Sequence, residues 1–188
     1  MISIPQFYNT IELGGTLSIV HTRNGQLIED RFYSNTVTTV GKRWLAARMK
    51  DTVSGVHTIP AEMSHMAVGG NATVGSNPTK TTPSTAAYAL TTGGTPALSE
   101  LARVALTTDG GSFPQGYNST NTGGVTLPGT AVITYAASFA AGTGTGSIVE
   151  AGIFNAASSG AMLCITSFDV VNKQAADTIA VTWTINIQ

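Results

Sequence analysis

The sequence predicts a mainly β protein: an antiparallel β-sandwich or jelly roll with one short α-helix near residues 37–50 and long loops. Three observations carry this expectation. The closing run Thr178–Ile187 alternates with period 2, placing Ile179, Val181, Trp183, Ile185 and Ile187 on one face. Short β-prone runs elsewhere are separated by Gly/Asn turn signals, the pattern of sandwiches and barrels. Charged residues make up 10% of the 188, well under the ~25% usual for a soluble domain, while 42% are hydrophobic. Disordered chains combine high charge with low hydrophobicity, so the low charge instead predicts an ordered chain whose surface faces protein as well as water.

The elements follow in order. Residues 16–21 and 27–33 alternate on either side of Arg23-Asn24-Gly25-Gln26. Asn-Gly between two such runs predicts a hairpin, because both residues tolerate positive φ. A helix is predicted over 37–50, capped by Asn35 or Thr36. Val40, Trp44 and Ala47 would share its buried face, with Leu45 and Met49 beside it. Lys42, Arg43 and Lys50 fall largely elsewhere and read as a solvated face, with an acidic partner as the rarer alternative.

His65–Gly69 and Leu101–Leu106 are strand candidates. Between and after them lie two Gly/Thr/Ser-rich excursions, 69–97 and 109–129. Structureless loops of that length are unusual in a domain and are expected either to reach a partner or to be braced by neighbours. Strands are predicted at 131–139, 147–154 and 161–168, with turns at 142–146 and 155–160 and a further loop around Asn172-Lys173-Gln174. The length suits one domain over 1–188, with an N-terminal arm (1–13) and the two excursions. The expected core anchors are Trp44, Phe154 and Trp183.

The search for chemistry is largely negative. Cys164, the one cysteine, sits in an apolar run and reads as a buried small hydrophobe rather than a reactive thiol. Residues 1–10 lack the basic start and apolar core of a signal peptide. No apolar run approaches the ~20 residues that span a bilayer, so no membrane partner is expected. A net charge of −1 and the lack of aromatic–basic interleaving argue against nucleic acid.

His57 and His65 flank Glu62, but the spacing matches no zinc pattern and Pro60 interrupts any helix between them. Gly142-Thr143-Gly144-Thr145-Gly146 lacks the Lys-Ser/Thr pair of a P-loop and reads as a turn. Glu29 and Asp30 are adjacent and point to opposite faces of a strand, so they cannot share a proton. No catalytic, cofactor-binding or metal-ligating residue is therefore assigned. Glu150 is the single charge between Gly110 and Phe168. A carboxylate in an apolar strand needs a cation or several donors, and a structural ion pair with Arg103 is the expectation. A second acid in a cleft beside Glu150 would instead revive a glycosidase reading.

Three segments, taken together, resemble a family of tailed-bacteriophage virion structural proteins. Ser34 to Ala46 is similar to an N-x-V-T-x-x-G-x-x-x-L-A entry into a helix after a long hairpin. Leu98 to Arg103 is similar to an L-x-x-E-x-x-R segment after a Gly/Thr-rich loop. Glu150 to Asn155, Gly160 to Leu163, Phe168, Lys173 and Thr182 to Ile185 resemble an E-A-G-L-F … G-x-M-L … F-x-x-x-x-K … W-x-I ending. The resemblance implies a non-catalytic role without cofactors. The virion would be assembled from protein made in the host cytoplasm. Its leading form is a capsid decoration (cement) protein on the capsid surface, whose partners would be the major capsid protein and copies of itself as a dimer or trimer. A tail, baseplate or tail-fibre component is the alternative it leaves open. A carbohydrate-binding β-sandwich is a rival of another class, weakened by an aromatic content of 7%.

Overall fold

The computed structural model describes residues 13–49, 60–70, 100–109 and 131–187. Within them the chain forms two five-stranded antiparallel sheets. In chain order the elements are β1 (Leu13–Arg23), β2 (Gln26–Ser34), β3 (Thr36–Val37), α1 (Thr39–Met49), β4 (His65–Gly69), β5 (Glu100–Ala105), β6 (Thr108–Asp109), β7 (Ala131–Phe139), β8 (Gly146–Phe154), β9 (Met162–Lys173) and β10 (Asp177–Ile187). The first sheet runs β2-β1-β10-β7-β6 and the second β3-β9-β8-β4-β5. The expected mainly β sandwich with one short helix is the fold observed. The N-terminal arm, apart from Leu13, and nearly all of both excursions lie outside the described residues.

The two inner faces make one core. Leu17 and Ile19 of β1, Tyr135 and Phe139 of β7, and Ile179, Val181, Trp183 and Ile185 of β10 meet Met66, Val68, Ile148, Ile153 and Val171 of the other sheet. Strict alternation along β10 explains its part: one side is buried and the intervening residues are exposed or half-buried. β8 breaks the rule. Its pairing with β9 slips between Ile148 and Glu150, so Ile148 and then Ala151 and Ile153 all face the core although their numbers differ in parity. On β4, Ala67 points away from Met66 and Val68 and joins Phe154 and Met162 in a smaller second cluster. Of the expected anchors, Phe154 and Trp183 are fully buried, whereas Trp44 is half-buried at the margin of the core.

The predicted hairpin forms. Asn24 and Gly25 both take positive φ, 51° and 77°, as a tight primed turn demands. The helix differs from its expectation at both ends. Val37 is a strand residue paired with Cys164, and helix starts only at Thr39. Thr38, not Asn35 or Thr36, is the cap: its hydroxyl accepts from the Gly41 amide at 2.8 Å. The same hydroxyl donates to the Met162 carbonyl at 2.5 Å, and the Thr38 amide donates to the Leu163 carbonyl at 3.0 Å. A short strand followed by a cap bound to β9 leaves no room for an earlier helical turn. Ala47 and Met49 are exposed, so the buried face is narrower than the periodicity suggested.

β9 also runs further than expected. Asn172 and Lys173 continue the strand instead of forming a loop, because the Lys173 ammonium is satisfied within the fold.

Candidate functional site

Three turns meet at one end of the sandwich: β1–β2, β7–β8 and β9–β10. Cross-strand register puts Arg23 opposite Asp177 and His21 opposite Ile179. Asp177, fully buried at the first position of β10, is the hub of a polar cluster there. Arg23 donates to its carboxylate twice, Nε to Oδ1 at 2.6 Å and a terminal nitrogen to Oδ2 at 2.9 Å. The Gln174 amide donates to Oδ2 at 2.8 Å, and His21 Nε2 lies 2.8 Å from the same oxygen. On its other side His21 Nδ1 lies 3.1 Å from Glu29 of β2, and Glu29 pairs in turn with Arg31.

Lys173 completes the cluster from β9. Its side chain is 1% exposed, and Nζ donates to the Ala140 carbonyl at 2.9 Å and the Asp177 carbonyl at 2.6 Å. The Gly142 amide donates to the Ala175 carbonyl at 2.7 Å, tying two of the turns directly together. The hydrogen bonds from Arg23 hold the Asp177 carboxyl far below the usual carboxylate range, against the opposing effect of burial, and the Gln174 amide and His21 add to the lowering. Burial draws the Lys173 ammonium below the usual lysine range, and Asp177 partly offsets that.

The arrangement pairs a histidine with carboxylates, as acid–base sites do, but it is built to hold rather than to react. An ionised carboxylate offers about four lone-pair positions. Arg23, Gln174 and His21 make four close contacts to the Asp177 carboxylate, three on Oδ2 and one on Oδ1. His21 is likewise flanked on both ring nitrogens and is 2% exposed, so substrate has no path to it. Among the described residues no group of three or more His, Cys, Asp or Glu could hold a metal ion.

The cluster joins residues up to 156 positions apart in sequence. In the sequence His21 stands singly, and nothing there connects it with Arg23, Lys173 or Asp177. No local motif links them; the β1–β10 register and the turn from β9 into β10 bring them together.

The expected Glu150–Arg103 pair is not the one Arg103 makes. Its guanidinium closes on both oxygens of Glu100, at 3.0 and 2.8 Å, and also donates to the carbonyls of Ala156 and Ser159. It lies over the Phe154 ring, 3.8 Å from the centroid. Register explains the exchange. Arg103 is opposite Ala67, which is opposite Gly152, so it sits level with Gly152 and across β4 from β8. The guanidinium reaches β8 on the Phe154 side of Gly152, whereas Glu150 lies on the other side of Gly152, and Glu100, three residues away on its own strand, takes the charge. Glu150 is buried against Gly69, where an added Cβ would come within 2.6 Å of Oε1, so only glycine leaves the carboxyl its place.

The other sequence candidates are scattered. His65 starts β4 and is hydrogen-bonded to the Ser64 hydroxyl at 2.8 Å, and His57 lies outside the described residues. Glu62 pairs with Arg48, whose guanidinium also stacks on Trp44 and donates to the Pro60 carbonyl. Cys164 is fully buried, and burial pushes its thiol far above the usual range. No described helix is long and apolar enough to cross a membrane.

The outer face of the first sheet is the remaining feature. On its three central strands the residues opposite the core are Ser18, Val20 and Thr22 of β1, Thr178, Ala180, Thr182 and Thr184 of β10, and Thr134, Ala136 and Ser138 of β7. None carries a charge. Comparison of the chain with protein-family models, with curated proteins and with solved structures gives no match in any of the three.

Proposed function

We propose that the chain is a structural virion protein of a tailed bacteriophage, a capsid decoration protein that braces neighbouring capsomers and performs no catalysis. The observation that carries this reading is the uncharged outer surface of the three central strands of the first sheet. A solvated sheet face ordinarily alternates core residues with charged and polar ones. Here small Ser, Thr, Ala and Val side chains make a surface with no charge to desolvate, whose hydroxyls can hydrogen-bond to a partner protein. The resemblance of the Ser34–Ala46, Leu98–Arg103 and Glu150–Ile185 segments to virion proteins supports the same reading. The buried, densely hydrogen-bonded Asp177 cluster accords with a scaffold role.

In this reading many copies cover the shell. Each interface buries surface on the order of 1,200–2,000 Å², and repetition multiplies the effect through avidity. The test is location and copy number in purified particles. Hundreds of copies on the capsid, and particles that lose heat resistance without them, are expected. A few copies confined to the tail, or unchanged particle stability in the protein's absence, would overturn the proposal.

A further inference from the structure

The two edges of the first sheet are unlike. β6 has 2 residues, too short to template another strand, whereas β2 has 9. An edge strand leaves a row of backbone donors and acceptors without a ladder partner. Proteins usually blunt such an edge with lysine, proline or a short length. β2 has neither lysine nor proline, and its single bulge lies at its N-terminal end, where the register with β1 shifts between His21 and Thr22. From Glu29 to Ser34 the strand is regular.

Its side chains add to the exposure. Phe32 is 70% exposed, Leu27 64% and Ile28 50%, so three of the six large exposed hydrophobic residues of the described chain lie on this strand. Phe32 stands on the outer face, opposite Ser18, and is continuous with the uncharged surface of the central strands. The inward-pointing charges of β2, Glu29 and Arg31, are already occupied. Glu29 meets His21, and Arg31 donates to the Asp169 and Val170 carbonyls of β9 at 2.8 and 3.2 Å. They point toward the second sheet beneath the strand, and among the described residues no strand pairs with its outer edge.

We propose that β2 pairs with β2 of a second copy about a two-fold axis through Phe32, joining the two five-stranded sheets into one continuous ten-stranded sheet. Exposure and charge together favour this register, since Phe32 is the most exposed large hydrophobic residue of the strand. With the axis on Phe32, the two Phe32 rings face each other. Asp30 then faces Ser34 of the second copy, whose hydroxyl can donate to the carboxylate, and Arg31 faces Tyr33. No like charges are opposed. An axis on Asp30 would set two carboxylates directly opposite, which destabilises a cross-strand pair. An axis on Arg31 would set two guanidinium groups opposite in the same way. An isologous contact of this kind closes at two copies. The inference stands apart from the virion reading, since it concerns the free chain in solution.

Sedimentation velocity of the purified chain over a wide concentration range tests it. A dimer is expected. Phe32→Lys opposes two ammonium groups on the axis and is expected to weaken the dimer about tenfold or more, a change of roughly 1.4 kcal/mol. Its far-UV spectrum should be unchanged, because the side chain is exposed in one copy. Phe32→Cys tests the register directly. Residues facing each other across an antiparallel pair have Cα atoms about 4.5–5.5 Å apart, within the range a disulfide spans. Oxidation should therefore give a covalent dimer, while Asp30→Cys should not. A monomer at all concentrations, a trimer, a dimer indifferent to Phe32→Lys, or cross-linking through position 30 instead of 32 would each overturn the proposal.

Discussion

The two ends of the sandwich are fastened by different physics. At the turn end, charged groups from β1, β2, β9 and β10 converge on Asp177, and the fastening is ionic, buried and long-range in sequence. At the other end, α1 is docked on β9 through neutral contacts. The Thr38 hydroxyl bridges the Gly41 amide and the Met162 carbonyl, and Gly41 packs so close to Leu163 that an added Cβ would sit 2.0 Å from its carbonyl oxygen. The comparison teaches how a charge-poor chain uses its charges. Several of its few ionic side chains are spent on one end, where three turns would otherwise fray. The other end relies on backbone approach and a cap.

Asp177→Ala is expected to destabilise the sandwich most. Removing one member of a buried charge cluster leaves the rest uncompensated, and here Arg23, His21 and the Gln174 amide all lose their acceptor. Thermal melts should show a greater fall in Tm than for any variant of the helix end. The same residue sets the acid response. Its folded-state pKa is depressed below the unfolded value of about 3.9, so its contribution is complete above that value. It is lost as pH falls from there through the lower folded-state value. Urea midpoints measured from pH 7 down to pH 3 should drop steeply at the acid end in the wild type and more shallowly in Asp177→Asn. Equal slopes would show that the turn end is not held by charge.

Gly41→Ala comes next. The added methyl must displace the Leu163 backbone or the helix. Overpacking of this kind costs about 1–3 kcal/mol, and a protein of this size loses roughly 2–4 °C in Tm per kcal/mol. Thr38→Ala removes the cap together with the bond to the Met162 carbonyl and should cost about 1 kcal/mol. Because the two ends share no partner, Asp177→Ala and Thr38→Ala should combine additively within about 0.5 kcal/mol. A larger deviation would show that the ends open together.

The fold was legible where alternation and turn chemistry act locally. Asn24-Gly25 announced its hairpin, and Ile179, Val181, Trp183 and Ile185 announced their buried face. Legibility failed where register decides. Nothing near Lys173 reveals that the Ala140 and Asp177 carbonyls will receive its ammonium, so Asn172 and Lys173 looked like loop when they continue the strand. The Arg103 expectation failed for the same reason. Its expected partner was Glu150, but the guanidinium turns toward Phe154 and the Ala156 and Ser159 carbonyls and closes on Glu100 of its own strand. The Asp177 cluster was invisible in sequence because its members come from opposite ends of the chain and meet only through the β1–β10 pairing.

The smallest expected effect is on stability, and the most discriminating on dynamics. Cys164 pairs with Val37 of β3, immediately before the Thr38 cap, and is fully buried with its thiol held protonated by burial. A thiolate-selective reagent should therefore leave it untouched until that end opens. The labelling rate then reports a local opening whose free energy can be lower than that of global unfolding. Thr38→Ala should raise the rate about fivefold, the factor that corresponds to ~1 kcal/mol. Glu29→Gln alters only the margin of the charged cluster and should leave the rate unchanged. If both variants accelerate labelling equally, the thiol is exposed only when the whole sandwich unfolds, and the two ends are one cooperative unit.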